Sequence, residues 1–169
     1  MIRFVVTIIE ILICFLLQSS VFPSLSLANV VPDVMMVLIV ANAYSQGIFS
    51  GMFTGLLCGL MVDCLFGSVI GLYAIIYMVI GYLNGYSRKI YDKEDVTIPL
   101  VLIAVSEFVY CFLYYISEFL MRGKLNVGYY MFRIGLPRVI YTVLVGIIFY
   151  KLFNLIHLKL LWLKSKEEV

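Results

Sequence analysis

The chain has 169 residues, of which 64% are hydrophobic and 13% charged, and its mean hydropathy is +1.09. Soluble domains are about 45–50% apolar and about 25% charged, so the composition excludes an ordinary soluble fold and points to an integral membrane protein. A net charge of +2 is too small to suggest a nucleic-acid partner, and the alternating segments of ~10 residues typical of a membrane barrel do not occur.

Six spans are expected, at roughly 2–22, 32–44, 47–66, 69–86, 96–121 and 135–157. They predict an all-α, polytopic integral membrane protein: one compact bundle forming a single multi-pass domain over 1–169. Helices suit lipid because they satisfy their own backbone polar groups. In the first span, Thr7, Glu10, Cys14 and Gln18 recur at helical spacing and form a polar stripe. Glu10 is either a partly solvated interfacial carboxylate or a partner-binding one, since an ionisable group within a span is a functional candidate by default. It also argues against a cleaved signal peptide, to which Ser26-Leu27-Ala28 is only a loose match. The second span is short and opens on Pro32-Asp33. Only Ser45-Gln46 separates it from the third, so a five-span reading stays open.

The third span carries the most distinctive pattern. Glycine falls at Gly47, Gly51, Gly55 and Gly59, and the same step reaches Asp63, Gly67 and Gly71. Each interior glycine costs a water-soluble helix ~1 kcal/mol relative to alanine. Close packing between membrane helices, for which small-xxx-small spacing is the device, accounts for it. Successive rungs turn ~40°, so the ladder is a shallow spiral and at most three rungs face one neighbour. Gly47–Gly55 are expected to pack against one neighbouring helix, and Gly59 and Asp63 to turn toward another. Gly67 and Gly71 are expected in the turn and the next helix start.

In the later spans, Tyr82, Tyr86, Tyr91, Tyr129 and Tyr130 read as an aromatic belt at the lipid–water interface. Asp92 to Asp95 read as a charged, solvated turn. Glu107 and Glu118 share one helix face with Tyr110, Cys111 and Tyr114. Glu118 can pair with Arg122. The two carboxylates lie ~16 Å apart along the axis, too far to act on one substrate atom, and a polar face against another helix is the simpler reading. Pro137 reads as the first residue of the last helix. Arg138 sits either at the membrane surface or against an intramembrane carboxylate such as Asp63. Cys14, Cys58, Cys64 and Cys111 make no CxxC pair and read as small packing residues. His157 reads as interfacial.

Six spans put both termini on one side, together with Arg3, Arg88, Lys89, Lys93, Lys159, Lys164 and Lys166. The other side holds Arg122, Lys124 and Arg133. The positive-inside rule then places both termini in the cytoplasm. No phosphate-binding loop, HExxH, GxSxG or Cys/His cluster occurs. No catalytic, metal or cofactor site is therefore expected, and the protein reads as something other than an enzyme.

Pro32-Asp33, then Gly51-Met-Phe-Thr-Gly55-Leu-Leu-Cys-Gly59-Leu-Met-Val-Asp63, then Gly67-Ser68 and Gly71-Leu72-Tyr73-Ala74, resemble the MreD family of bacterial rod shape-determining membrane proteins. The motif part covers about a third of the chain. The resemblance implies a non-enzymatic subunit of the cell-elongation machinery in the bacterial cytoplasmic membrane. The implied partner is the bitopic protein MreC, and beyond it RodA, its class B penicillin-binding protein and the MreB cytoskeleton. Pro32, Asp33, Gly47, Gly51, Gly55, Gly59, Asp63 and Gly71 become candidate helix-packing or partner-binding positions. The family is also similar in fold to the substrate-binding S components of ECF vitamin transporters, which supplies the alternative function. That alternative calls for a polar solute pocket near the external face and an Ala-xxx-Ala pair on the first helix. The first span has no such pair.

Overall fold

The computed structural model describes residues 2–26, 30–66, 71–88, 90, 97–116 and 127–167. Helix α1 (Ile2–Leu16) continues through a π-helical turn, Leu17–Val21. Then come α2 (Val34–Gln46), α3 (Ile48–Phe66), α4 (Leu72–Ser87) and α5 (Thr97–Tyr115). A single turn, α6 (Val127–Tyr130), passes through a second π-helical turn, Met131–Gly135, into α7 (Leu136–Glu167). Four stretches are long and apolar enough to cross a membrane: Phe4–Val21, Ile48–Leu65, Thr97–Tyr115 and Gly128–Ile156. The protein is a multi-pass helical bundle. Glu118, Arg122, Gly67, Tyr91 and the 92–95 turn lie outside the described residues.

The bundle is built around α2. Val34 to Val40 are all 0% exposed, as expected of a helix apolar on every side. It packs against α1, α3, α4, α5 and α7. With 13 residues it is ~20 Å long, short of the ~30 Å hydrocarbon layer. Its first turn lies inside the bundle, where its own N-cap residue, Asp33, is supplemented by groups from neighbouring elements. Gly47, with φ +99°, ends α2 and separates it from α3. It is thus a turn residue between two helices, rather than a rung of the ladder.

The remaining rungs all meet α4, and Gly51 also lies against Ala43 of α2, 2.6 Å from where its Cβ would stand. A Cβ on Gly51 would lie 2.5 Å from the Gly81 carbonyl oxygen. A Cβ on Gly55 would run into the Tyr77 carbonyl, and one on Gly59 into the backbone of Tyr73 and Ala74. From the other side, Gly85 abuts the backbone of Ile48. Helices α3 and α4 are thus an antiparallel pair in backbone contact, with small residues on both partners. Gly59 and Asp63, expected to turn toward a different neighbour from the earlier rungs, meet the same helix, α4, as Gly51 and Gly55. With Gly55 at the centre of the seam, Gly51 and Gly59 lie only ~40° to either side. A neighbouring helix is broad enough to cover that arc.

Polarity is arranged inside out, as lipid demands. The stripe Thr7, Glu10 and Cys14 on α1 is buried, whereas Phe4, Val5, Ile9, Leu12, Ile13 and Leu16 point outward. Tyr82, Tyr86 and Tyr129 are exposed, as an interfacial belt requires, whereas Tyr130 is buried. Cys14, Cys58 and Cys111 are buried free thiols, and Cys64 is exposed.

Candidate functional site

The polar centre of the bundle starts at the first turn of α2. The Asp33 side chain caps that helix, accepting from the Met36 backbone N–H at 3.0 Å through Oδ1. Gln18, carried on the π-helical turn after α1, accepts from the Met35 N–H at 3.1 Å. Two of the amides that a helix start leaves unpaired are thereby satisfied inside the bundle. The Asp33 backbone N–H donates to Thr142 Oγ1 of α7 at 3.0 Å.

The other carboxylate oxygen of Asp33 holds the rest of the cluster. Its Oδ2 accepts from the Tyr77 hydroxyl of α4 at 2.5 Å and from Arg138 Nη2 at 3.1 Å. Arg138 also reaches Glu107 of α5, with Nε 2.6 Å from Oε1. Asp33 and Glu107 are fully buried, and the Arg138 side chain is 22% exposed. The guanidinium lies over the Tyr110 ring, 4.8 Å from its centroid. One fork-shaped cation thus ties α7 to α2 and α5. Arginine suits this because its donors point in several fixed directions. Arg138 and Thr142 stand four residues apart, on one face of α7, and both bind Asp33.

Pro137 does not begin the last helix. Helical backbone runs from Val127, and the π-helical turn Met131–Gly135 lies just before the proline. A wider turn there fits the missing donor and the ring bulk of a proline inside a helix. Of the two placements open for Arg138, the buried ion pair is the one found. Its partners are Asp33 and Glu107, and Asp63 is not among them.

Asp63 has a different task. Its Oδ1 accepts from the Tyr73 N–H at 3.1 Å and its Oδ2 from the Ala74 N–H at 2.9 Å. It therefore caps α4 from α3, with its negative charge at the positive end of the helix dipole. Gly71, at φ +103°, stands at the N-cap position of α4, a conformation that costs glycine little. Gly59 brings the α4 backbone close enough for the cap to form. The ladder and the acid that ends it are one device for joining α3 to α4. Pro32 is buried immediately before Asp33.

Beside the ion cluster lies a cavity of about 210 Å³. Tyr73, Tyr77, Tyr110 and Tyr114 line it together with Gln18 and Arg138. The rings make a continuous wall: Tyr77–Tyr110 centroids are 5.3 Å apart, and Tyr110–Tyr114 are 6.2 Å apart and stacked. The sequence reading found the Glu107, Tyr110, Tyr114 face but assigned most tyrosines to an interfacial belt. Tyr73 and Tyr77 were not singled out as a site, although their spacing of four puts them on one face of α4.

A second polar cluster occupies the other end of α2. Gln46 donates to Asn42 at 3.2 Å, Asn42 to Thr54 at 3.4 Å, and Ser50 to Gln46 at 3.1 Å. Glu10, only 5% exposed, lies beside Asn42, so it is an interior carboxylate rather than an interfacial one.

Residues 1–160 match the family described as rod shape-determining protein MreD. The curated proteins and the solved structures hold no match to the chain. The match spans nearly the whole of the 169-residue sequence, well beyond the Pro-Asp and glycine motifs that suggested it. The chain belongs to the MreD family of rod shape-determining membrane proteins.

Proposed function

We propose that the protein is a non-enzymatic subunit of the bacterial cell-elongation machinery, regulating lateral peptidoglycan synthesis through association with MreC. RodA, its class B penicillin-binding protein and the MreB cytoskeleton are the further members of that assembly. The observation that carries the proposal is the family match over residues 1–160. It favours this reading over the vitamin-transporter alternative. The packing is consistent with a scaffold: Asp33, Arg138 and Asp63 hold helices to one another. The protein sits in the cytoplasmic membrane with both termini in the cytoplasm, a placement supported by the Lys and Arg asymmetry of the loops.

The test is co-purification. Tagged protein, co-expressed with an MreC-type bitopic protein and extracted in mild detergent, retains that partner through size exclusion. A control bitopic helix of similar length is not retained. Loss of the MreC-type protein at extraction, with the tagged chain still folded, would overturn the proposal. Because α4 covers the ladder, Gly59→Leu is expected to reduce folded yield and not to abolish binding selectively.

A further inference from the structure

We propose that a groove between α5 and α7 binds one anionic phospholipid, with an acyl chain in the groove and the phosphate on Arg133. The site lies apart from the Asp33–Arg138 cluster, and the inference does not depend on the proposed function. It starts from the irregular entry to α7. The π-helical turn Met131–Gly135 widens the helix there. Gly135 has no side chain, and a Cβ on it would stand 2.8 Å from Met131 Sδ and 3.8 Å from Cys111 Cβ of α5. The two helices therefore close on each other at Gly135. Met131, which touches Gly135, also lines a groove of about 290 Å³ with Phe108 of α5 and with Phe132, Leu136, Val139 and Ile140. Every lining residue is apolar, and Phe108, Phe132, Leu136 and Ile140 are exposed on the lipid-facing side.

One end of the groove carries a charge. The stretch Gly128–Ile156 has 29 residues. At the helical rise it is ~43 Å long, the thickness of a bilayer with its headgroup layers and not of the ~30 Å hydrocarbon core alone. Its first turns, with Tyr129 and Arg133, therefore lie at headgroup depth. Arg133 is exposed, and its guanidinium lies over the exposed Tyr129 ring, 5.6 Å from the centroid. Among the described residues, the ion pairs at this end of the bundle belong to Arg138, and no acid pairs with Arg133. Arg133 directly follows Phe132, so the cation stands at the headgroup end of the groove. Phe132, Leu136 and Ile140 recur every fourth residue and carry the apolar face down into the hydrocarbon. From Met131 to Ile140 the axis advances ~14 Å, about the depth of one leaflet. A cation at headgroup depth above an apolar groove one leaflet deep complements a single lipid, phosphate above and chain below. Basic side chains beside grooves between membrane helices recognise anionic headgroups in this way. An apolar helix from a protein partner would cover the groove but leave the guanidinium without a counter-charge.

The experiment uses the full chain in a neutral detergent. Phosphatidylglycerol and phosphatidylcholine with identical acyl chains are titrated separately, and bound lipid is counted by native mass spectrometry. Phosphatidylglycerol is expected to fill one site about fivefold more tightly than phosphatidylcholine. Arg133→Gln is expected to bring phosphatidylglycerol down to the phosphatidylcholine level. Lys151→Gln, at an exposed cation near the opposite end of the same stretch, is expected to stay within twofold of wild type. Leu136→Trp, which fills the groove from its exposed side, is expected to weaken both lipids at least fivefold, with thermal unfolding showing that the variant is folded. Equal affinity for the two lipids, an Arg133→Gln variant that binds phosphatidylglycerol like wild type, or a folded Leu136→Trp variant that binds both like wild type would overturn the proposal. Lipid-free dimers that Leu136→Trp dissociates would also overturn it, and would give the groove to a second copy of the chain.

Discussion

Arg138 shows how much of this bundle depends on one side chain. Its two carboxylate contacts join the buried ends of interactions from α2 and α5, and its neighbour Thr142 holds the Asp33 backbone. Removing the guanidinium leaves two buried carboxylates without a counter-charge. Breaking a buried pair in this way costs about 3–5 kcal/mol, because the surviving charge stays buried. Arg138→Ala is therefore expected to lower the unfolding temperature of the detergent-purified protein strongly. Arg138→Lys should recover only part of the loss, since an ammonium keeps the charge but not the fork. Equal unfolding temperatures for Arg138→Ala and wild type would show that the pairs contribute nothing to stability. The same residue marks a limit of reading by sequence. Its burial was one of two placements open for it, and its partners stand 105 and 31 positions away (138 − 33 and 138 − 107). No spacing rule connects residues so far apart.

At the scale of elements, the α3–α4 pair is the part of the fold most legible in advance. Glycines spaced by four in an apolar segment required close backbone contact, and Gly51, Gly55 and Gly59 make it. What the spacing could not supply was the identity of the neighbour, or that the residue ending the ladder caps that same neighbour. Substituting at the seam tests the arrangement. Gly55→Leu places a side chain where the Tyr77 carbonyl stands, and overpacking of this kind costs about 1–3 kcal/mol or more. The buried Cys58, on the same helix, is expected to become reactive to maleimide in that variant while staying protected in wild type. Gly128→Ala is the control, because nothing lies within 4 Å of a Cβ there. Equal Cys58 protection in Gly55→Leu and wild type would mean that the seam takes up the larger side chain without opening, against the close contact of Gly55 with Tyr77.

For the whole molecule, helix lengths and charge distribution combine into a topology. Helix α7 has 32 residues, ~48 Å at the standard rise, against a hydrocarbon layer of ~30 Å. Its last turns, with Lys159, Lys164 and Lys166, therefore project beyond the bilayer. In a cysteine-free background, Ser165→Cys is expected to react with a membrane-impermeant maleimide only from the cytoplasmic side. Ser24→Cys, in the exposed connection after α1, is expected to react only from outside. The reverse pattern would invert the orientation, and labelling of both from one face would change the number of crossings.

The sequence by itself determined the solvent, the helical class and the family, because each depends on features that survive without partners. These are long apolar runs, the spacing of glycines, and Pro32-Asp33 ahead of a short helix. It also marked Glu10, Glu107 and Asp63 as carboxylates needing an explanation, since an acid within lipid requires one. Only the tertiary structure decided which acid meets Arg138, which caps a helix, and which tyrosines line a cavity instead of the membrane surface. The physical reason is that a helix fixes which face a residue shares, while neighbours are fixed by packing between distant segments. In this protein the decisive contacts gather around α2, a helix too short to cross the membrane, whose buried first turn had to be completed by α1, α4 and α7.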